Sequence, residues 1–206
     1  MTEQAASLWL ATLQRALARA SHDVKDSLNG VSVNLEVIRS RAARPDAPAS
    51  AVAPFAEAAA QQLERLTTLL DAVLALGRPE RHPVDVALTL RRVVAVCSAS
   101  SSNADAAVEM REHEGALERG TVTRVTGGIV RLALAAPLLA AVTGTAHAGR
   151  ASAVWCALDA NEVDVMVTMG AAGRRTSMPE SVADVVRGGG VRWTESQDLS
   201  LAFPLA

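Results

Sequence analysis

The chain has 206 residues, half of them hydrophobic but only 2% aromatic, and a formal net charge of −2. Lys25 is the only lysine and the arginines are scattered, so the clustered basic face that nucleic acid requires is missing. Small aliphatic side chains suit close helix packing better than an aromatic-rich sandwich, and the length admits one domain or two small ones.

From about Ala5 to Ala43 there is no proline and one glycine. Leu10, Leu13, Leu17, Ala20, Val24, Leu28, Val31, Leu35 and Ile38 recur at threes and fours, with one stutter at Val24. The spacing predicts a long helix with one apolar seam. Pro45, Pro48 and Pro54 mark a loop, and a second helix is predicted from about Ala51 or Pro54 to Leu76. Its seam runs through Phe55, Ala59, Leu63, Leu66, Leu70, Val73 and Leu76, with Gly77 as the expected C-terminal cap and Pro79 as the stop. Two such helices make an antiparallel hairpin. A lone hairpin cannot cover both seams, so it is expected to dimerise into a four-helix bundle.

Beyond Pro83 the pattern changes. Val84–Val96 reads as a strand entry and a helix, Ala107–Glu112 and Thr121–Val125 as strands, and Ile129–Val142 as a helix despite Pro137. Ala151–Leu158 and Glu162–Met169 alternate around Asp159-Ala160-Asn161, which predicts an antiparallel hairpin. Ser181–Arg187 is a short helix before three glycines, and Val191–Thr194 with Leu199–Pro204 a final hairpin. The fold class is therefore α+β: residues 1–78 a helical hairpin, residues 79–206 an antiparallel or mixed sheet covered by helices.

No segment reaches the ~18 apolar residues that span a bilayer. The N-terminus lacks the basic region and apolar core of a secretion signal, so a soluble, cytoplasmic protein is expected, with no membrane partner. Cys97 and Cys156 have no Cys or His at ligand spacing. They read as buried free thiols of a reducing compartment, with a disulfide as the open alternative.

One of the four histidines sits in an informative place. His22 lies two residues from both Ala20 and Val24, over half a turn from the seam, so its imidazole should face solvent. Asp26 and Asn29 share its face, while Asp23 is adjacent and placed to fix one imidazole tautomer, leaving the other nitrogen as a nucleophile. The bland reading is a solvated helix surface. The coincidence of exposed His, following acid and polar residue on a proline-free helix favours the functional one. His82, His113 and His147 have no partner that spacing identifies.

The run His22-Asp23-Val24-Lys25-Asp26-Ser27-Leu28-Asn29-Gly30 resembles the H-box of two-component histidine kinases, H-[ED]-x-[KR]-[NT]-P-L-[TN]. Leu69–Val86 resembles the end of that family's dimerisation helix and its linker, and Val154–Met169 and the segment from Gly188 onward resemble the last strands of its ATP-binding domain. The resemblance covers nearly the whole chain and implies phosphorylation of His22 in a homodimer. Three departures accompany it. Ala140 stands where the family's helix carries an Mg²⁺-holding Asn, and Met169-Gly170-Ala171-Ala172-Gly173 lacks the Asp of the family's D-x-G-x-G turn. The family's glycine-rich lid is missing, and Gly188-Gly189-Gly190 stands where the family places a structural glycine pair before a hairpin. A triphosphate would lack a metal ligand and a cradle, so no ATP binding and no bound cofactor are expected.

Within the H-box, Ser27 replaces proline, and Asp26 replaces the Asn or Thr that orients water for dephosphorylation of a partner. An ionised carboxylate cannot donate that hydrogen bond. The resemblance then implies a histidine phosphotransferase of a phosphorelay, passing a phosphoryl group between response-regulator receiver domains through His22, with Asp23 and Asp26 in the site. Any Mg²⁺ would lie on the receiver. The alternative is a pseudokinase scaffold that binds receivers or a kinase without chemistry, and a divergent active kinase ranks last.

Overall fold

The computed structural model describes residues 2–44, 48–78, 83–98, 108–113, 115, 118, 120–146 and 153–206. Helix α1 runs from Glu3 to Ala42, and α2 from Ala53 to Gly77. Thr2 opens α1 by accepting a hydrogen bond from the Ala5 amide, the usual role of a threonine at an N-cap. The helix passes through Ser27 without interruption, since serine, unlike proline, keeps its backbone donor. A short 3₁₀ turn at Ala49–Ala51 precedes α2. Arg41 ties the hairpin bend together, donating to the Ala51 carbonyl at 2.7 Å and lying 4.5 Å from the Phe55 ring centroid.

Strand β1 (Val84–Asp85) leads directly into α3 (Val86–Ser98). Asp85 caps that helix through the Leu88 amide and also accepts from the Thr121 hydroxyl at 2.8 Å. Then come β2 (Val108–Glu112), β3 (Val122–Thr123), α4 (Gly127–Ala146), β4 (Val154–Ala160), β5 (Asp164–Ala171), α5 (Glu180–Gly188), β6 (Arg192–Glu195) and β7 (Leu199–Pro204). The main sheet has the order β2-β4-β5-β7-β6, with β2 parallel to β4 and the other pairs antiparallel; β1 and β3 form a separate pair. The chain is thus α+β, a helical hairpin followed by a mixed sheet with helices. The predicted central hairpin is present, but its turn falls at Asn161–Val163. The Asn161 side chain accepts from the Val163 and Asp164 amides there, so pairing extends to Ala160.

The predicted seam of α1 is only partly the buried one. Ala5, Trp9, Thr12, Ala16 and Ala20 are buried, whereas Leu10, Leu28 and Leu35 are exposed. Trp9, Thr12 and Ala16 lie against α3 and α4 as well as the end of α2, so the second half of the chain selects the face that is covered. On α2, Ala59, Leu69, Ala72 and Leu76 are buried while Leu63, Leu70 and Leu74 are exposed. A single apolar cluster continues from these helices through α4, apolar on nearly every side, into the sheet. Trp155 and Trp193 are half-buried, each under an arginine: Arg111 at 5.3 Å and Arg187 at 4.7 Å from the ring centroids. Trp9 is the tryptophan that the core encloses.

Gly77 ends α2 but does not take the left-handed conformation of a glycine cap. The free carbonyls at that end are met from outside. Arg131, only 6% exposed on α4, donates from one guanidinium nitrogen to the Leu76 and Arg78 carbonyls, and from Nε to Gly127 in its own helix.

Candidate functional site

His22 projects from α1 with its side chain 76% exposed, as its offset from the seam requires. Its partner is Asp26: Nδ1 lies 2.9 Å from Asp26 Oδ2, one helical turn on. The expectation that Asp23 would hold the ring is therefore corrected. Adjacent helix residues diverge by about 100°, whereas residues four apart stand over one another. A carboxylate accepts at this contact, so in the neutral imidazole Nδ1 is the donor and the lone pair is on Nε2, turned away from Asp26.

Asp23 lies at the flank, half-buried. Its carboxyl is pushed above the usual 3.8, first by desolvation and then by the Asp26 charge, against a smaller pull from His22. Two carboxylates thus lie near one imidazole, and Asp26 is the one that contacts it. Asn29 and Val33 continue the same exposed face at helical spacing. Gly30 is a packing position: a side chain there would run into Gln62 of α2, which accepts a hydrogen bond from Asn34 at 3.3 Å. His113 is exposed at the end of β2, its backbone amide bound to Leu158, while His82 and His147 lie outside the described residues.

One turn before His22, the same face of α1 borders a cavity of about 570 Å³. Thr12, Arg15 and Ala18 form one wall, Ala136, Leu139, Ala140 and Thr143 of α4 another, and Pro179, Ser181 and Val182 close it. A second cavity of about 140 Å³ shares Ala140 and lies between α4 and the segment 174–177. Space at Ala140 is therefore open. Among the described residues, however, neither lining includes an acid or an amide side chain. Gly170 offers no second mouth. It is buried in β5, and a Cβ there would meet the Trp155 ring and the Asp198 carboxylate at 2.5 Å.

Both cysteines are free and buried, and burial raises the Cys156 thiol to about 11. No described helix is long and apolar enough to cross a membrane.

No protein family model matches the chain, and no curated protein matches it. Among solved structures, the chain is similar to the blue-light activated histidine kinase EL346 of Erythrobacter litoralis, with TM-score 0.45 and 16% identity over 93% of this chain and 63% of that one. It therefore spans less than two thirds of that kinase. It is also similar to the histidine kinase AdeS of Acinetobacter baumannii, with TM-score 0.42 and 11% identity over 89% and 98% of the two chains. A bacterial phosphotransferase matches with TM-score 0.41 and 16% identity over 98% of each chain.

The exposed position of His22 was legible in the sequence, since its helical offset from the apolar seam puts it on the outer face. The role of Arg131 was not recognised. Its signal was present, as a lone charge opening the apolar stretch from Ile129 to Val142.

Proposed function

We propose that the chain is a histidine phosphotransferase that relays a phosphoryl group between receiver domains through His22, without ATP. The observation that carries this reading is the exposed imidazole with Nδ1 held by Asp26 and Nε2 open. In the forward step, Nε2 attacks the phosphorus of an aspartyl phosphate in line. The N–P bond forms as the P–O bond to the receiver breaks, and the receiver's carboxylate is regenerated. Asp26 orients the ring and stabilises the positive charge that it gains. A Mg²⁺ held by the receiver would neutralise charge on the phosphoryl oxygens. The hairpin of residues 1–78 supplies the chemistry, and residues 79–206 keep the kinase-type architecture with nucleotide recognition lost. The linings of these two cavities, which among the described residues include no acid or amide side chain to hold a metal or read an adenine amino group, support that loss.

The exposed leucines of α1 and α2 support a homodimer, in which Leu28, Leu35, Leu63 and Leu70 would leave water. A cytoplasmic location, where receiver domains work, goes with this reading.

The test is incubation with a phosphorylated receiver. Wild type should acquire an acid-labile, base-stable label that His22→Ala does not. A second reading, a scaffold that binds receivers without transfer, is favoured by the proximity of Asp23 and Asp26, whose charges oppose an incoming dianion. Unlabelled wild type that still binds receivers would establish the scaffold.

A further inference from the structure

The surface by which α1 meets α4 is built largely of short side chains. Thr12 and Ala16 of α1 share an apolar pocket with Ala135 of α4, and Ala18 lines the larger cavity together with Ala136 and Ala140. Leu13, Leu139 and Trp9 stand among them. Short side chains interdigitate little, and apolar attraction is non-directional. Such a surface holds two elements together without fixing the angle at which they meet.

Arg131 differs in kind. It is buried in the first turns of α4 and bonds in two directions. Nε donates to the Gly127 carbonyl of its own helix at 3.2 Å, which steadies the side chain. One terminal nitrogen donates to the Leu76 carbonyl and, at 3.1 Å, to that of Arg78, where α2 ends. Hydrogen bonds weaken steeply with misalignment, so these contacts are met at one setting of α4 against the hairpin. That setting matters at the other end of α4. Ala140 lies nine residues on, about 14 Å along the helix, and lines the cavity with Arg15 and Ala18. Ala18 is one turn before His22 on the same face of α1. A tilt of about 20° at Arg131 would carry Ala140 about 5 Å, close to the rise of one helical turn.

We propose that Arg131 is a positioning residue, an orientation lock that holds α4 at one angle to the hairpin and keeps its far end a turn short of His22. Apolar burial joins the two parts of the chain, and this side chain selects among the ways of joining them. Buried polar groups act in this way in other settings, where a single polar contact fixes register at some cost in stability. The lock concerns how the two parts are set and does not depend on the phosphotransfer reading.

Residual dipolar couplings of the backbone amides, measured on the full chain in a weakly aligning medium, read this orientation directly. In wild type, couplings from α1 and α2 and those from the main sheet should fit one alignment tensor. In Arg131→Met each set should still fit a tensor of its own, which establishes that both parts are folded, but the two tensors should differ in direction or magnitude. Arg131→Gln, whose shorter amide cannot reach both carbonyls, should diverge likewise and carries the test if the methionine variant does not fold. Val93→Ala controls for lost packing. Val93 lines the same apolar pocket as Trp9 and Leu76, so this variant should be less stable yet keep the single tensor. Two tensors in wild type, a single tensor in Arg131→Met, or a divergence in Val93→Ala as large as that in Arg131→Met each overturns the proposal.

Discussion

The guanidinium of Arg131 lies 5.6 Å from the ring centroid of Trp9 while its nitrogens reach the carbonyls that end α2, so one side chain of α4 touches both helices of the hairpin. Removing Trp9 opens a cavity in a shared core, and Trp9→Ala should cost about 3–5 kcal/mol. Arg131→Met keeps most of the packing but leaves carbonyls unpaired, for a loss of about 1–3 kcal/mol. Urea denaturation followed by tryptophan fluorescence and by helical circular dichroism measures both. Coincident transitions are expected in wild type, because the apolar cluster is continuous.

Asp26→Ala should slow phosphorylation of His22 about tenfold, equivalent to about 1.4 kcal/mol, by releasing Nδ1 and the preferred tautomer. Asp26→Asn retains an acceptor oxygen and should be slowed less. Asp23→Ala should have the smaller effect of the two alanine variants, since the ring does not rest on it. Rapid-quench labelling by a phosphorylated receiver separates these cases, and equal rates for wild type and Asp26→Ala would remove the orienting role.

The raised carboxyl of Asp23 has a definite consequence for stability. Its folded value lies above the unfolded one, so the native state holds the proton more tightly and stability falls as pH rises through the interval above 3.8. The penalty is complete once the folded group is ionised. Asp23→Asn should therefore melt higher than wild type at pH 7, with the difference closing as the pH drops to about 3.8. Thermal melts at several pH values test this. A variant less stable at every pH would show that the carboxylate makes a favourable contact.

Leu28→Glu combined with Leu70→Glu should convert a dimer to a monomer in light scattering, with little change in helicity, because both side chains are exposed in the single chain. Wild type already monomeric at micromolar concentration would remove the four-helix bundle from the proposal.

Cys156 should resist alkylation at pH 8 in the native protein, since burial holds its thiol near 11 and blocks access. Mass spectrometry after iodoacetamide, with and without denaturant, reads this directly.

Much of the fold was legible from local pattern. The long helices, the strand hairpins and the exposed position of His22 follow from period and punctuation, which act between near neighbours in the chain. What period alone could not choose was the face of α1 to be covered, because Leu10 and Trp9 are equally apolar and only α3 and α4 discriminate between them. The same limit hid Arg131, whose acceptors lie 53 and 55 residues away. Beside His22, the choice between Asp23 and Asp26 as the ring's partner was a matter of helical geometry, and nearness in sequence pointed to the wrong one.

The unbroken cluster joining Trp9, Ala16 and Leu76 to the interior of the sheet also bears on how the protein can be cut. A fragment stopping after Gly77 would carry a bared oily strip on the stem, and the remainder a matching scar over α4. Neither piece would behave as a well-mannered soluble part, so a fragment made to isolate the histidine should clump unless Trp9 and its neighbours are first made polar.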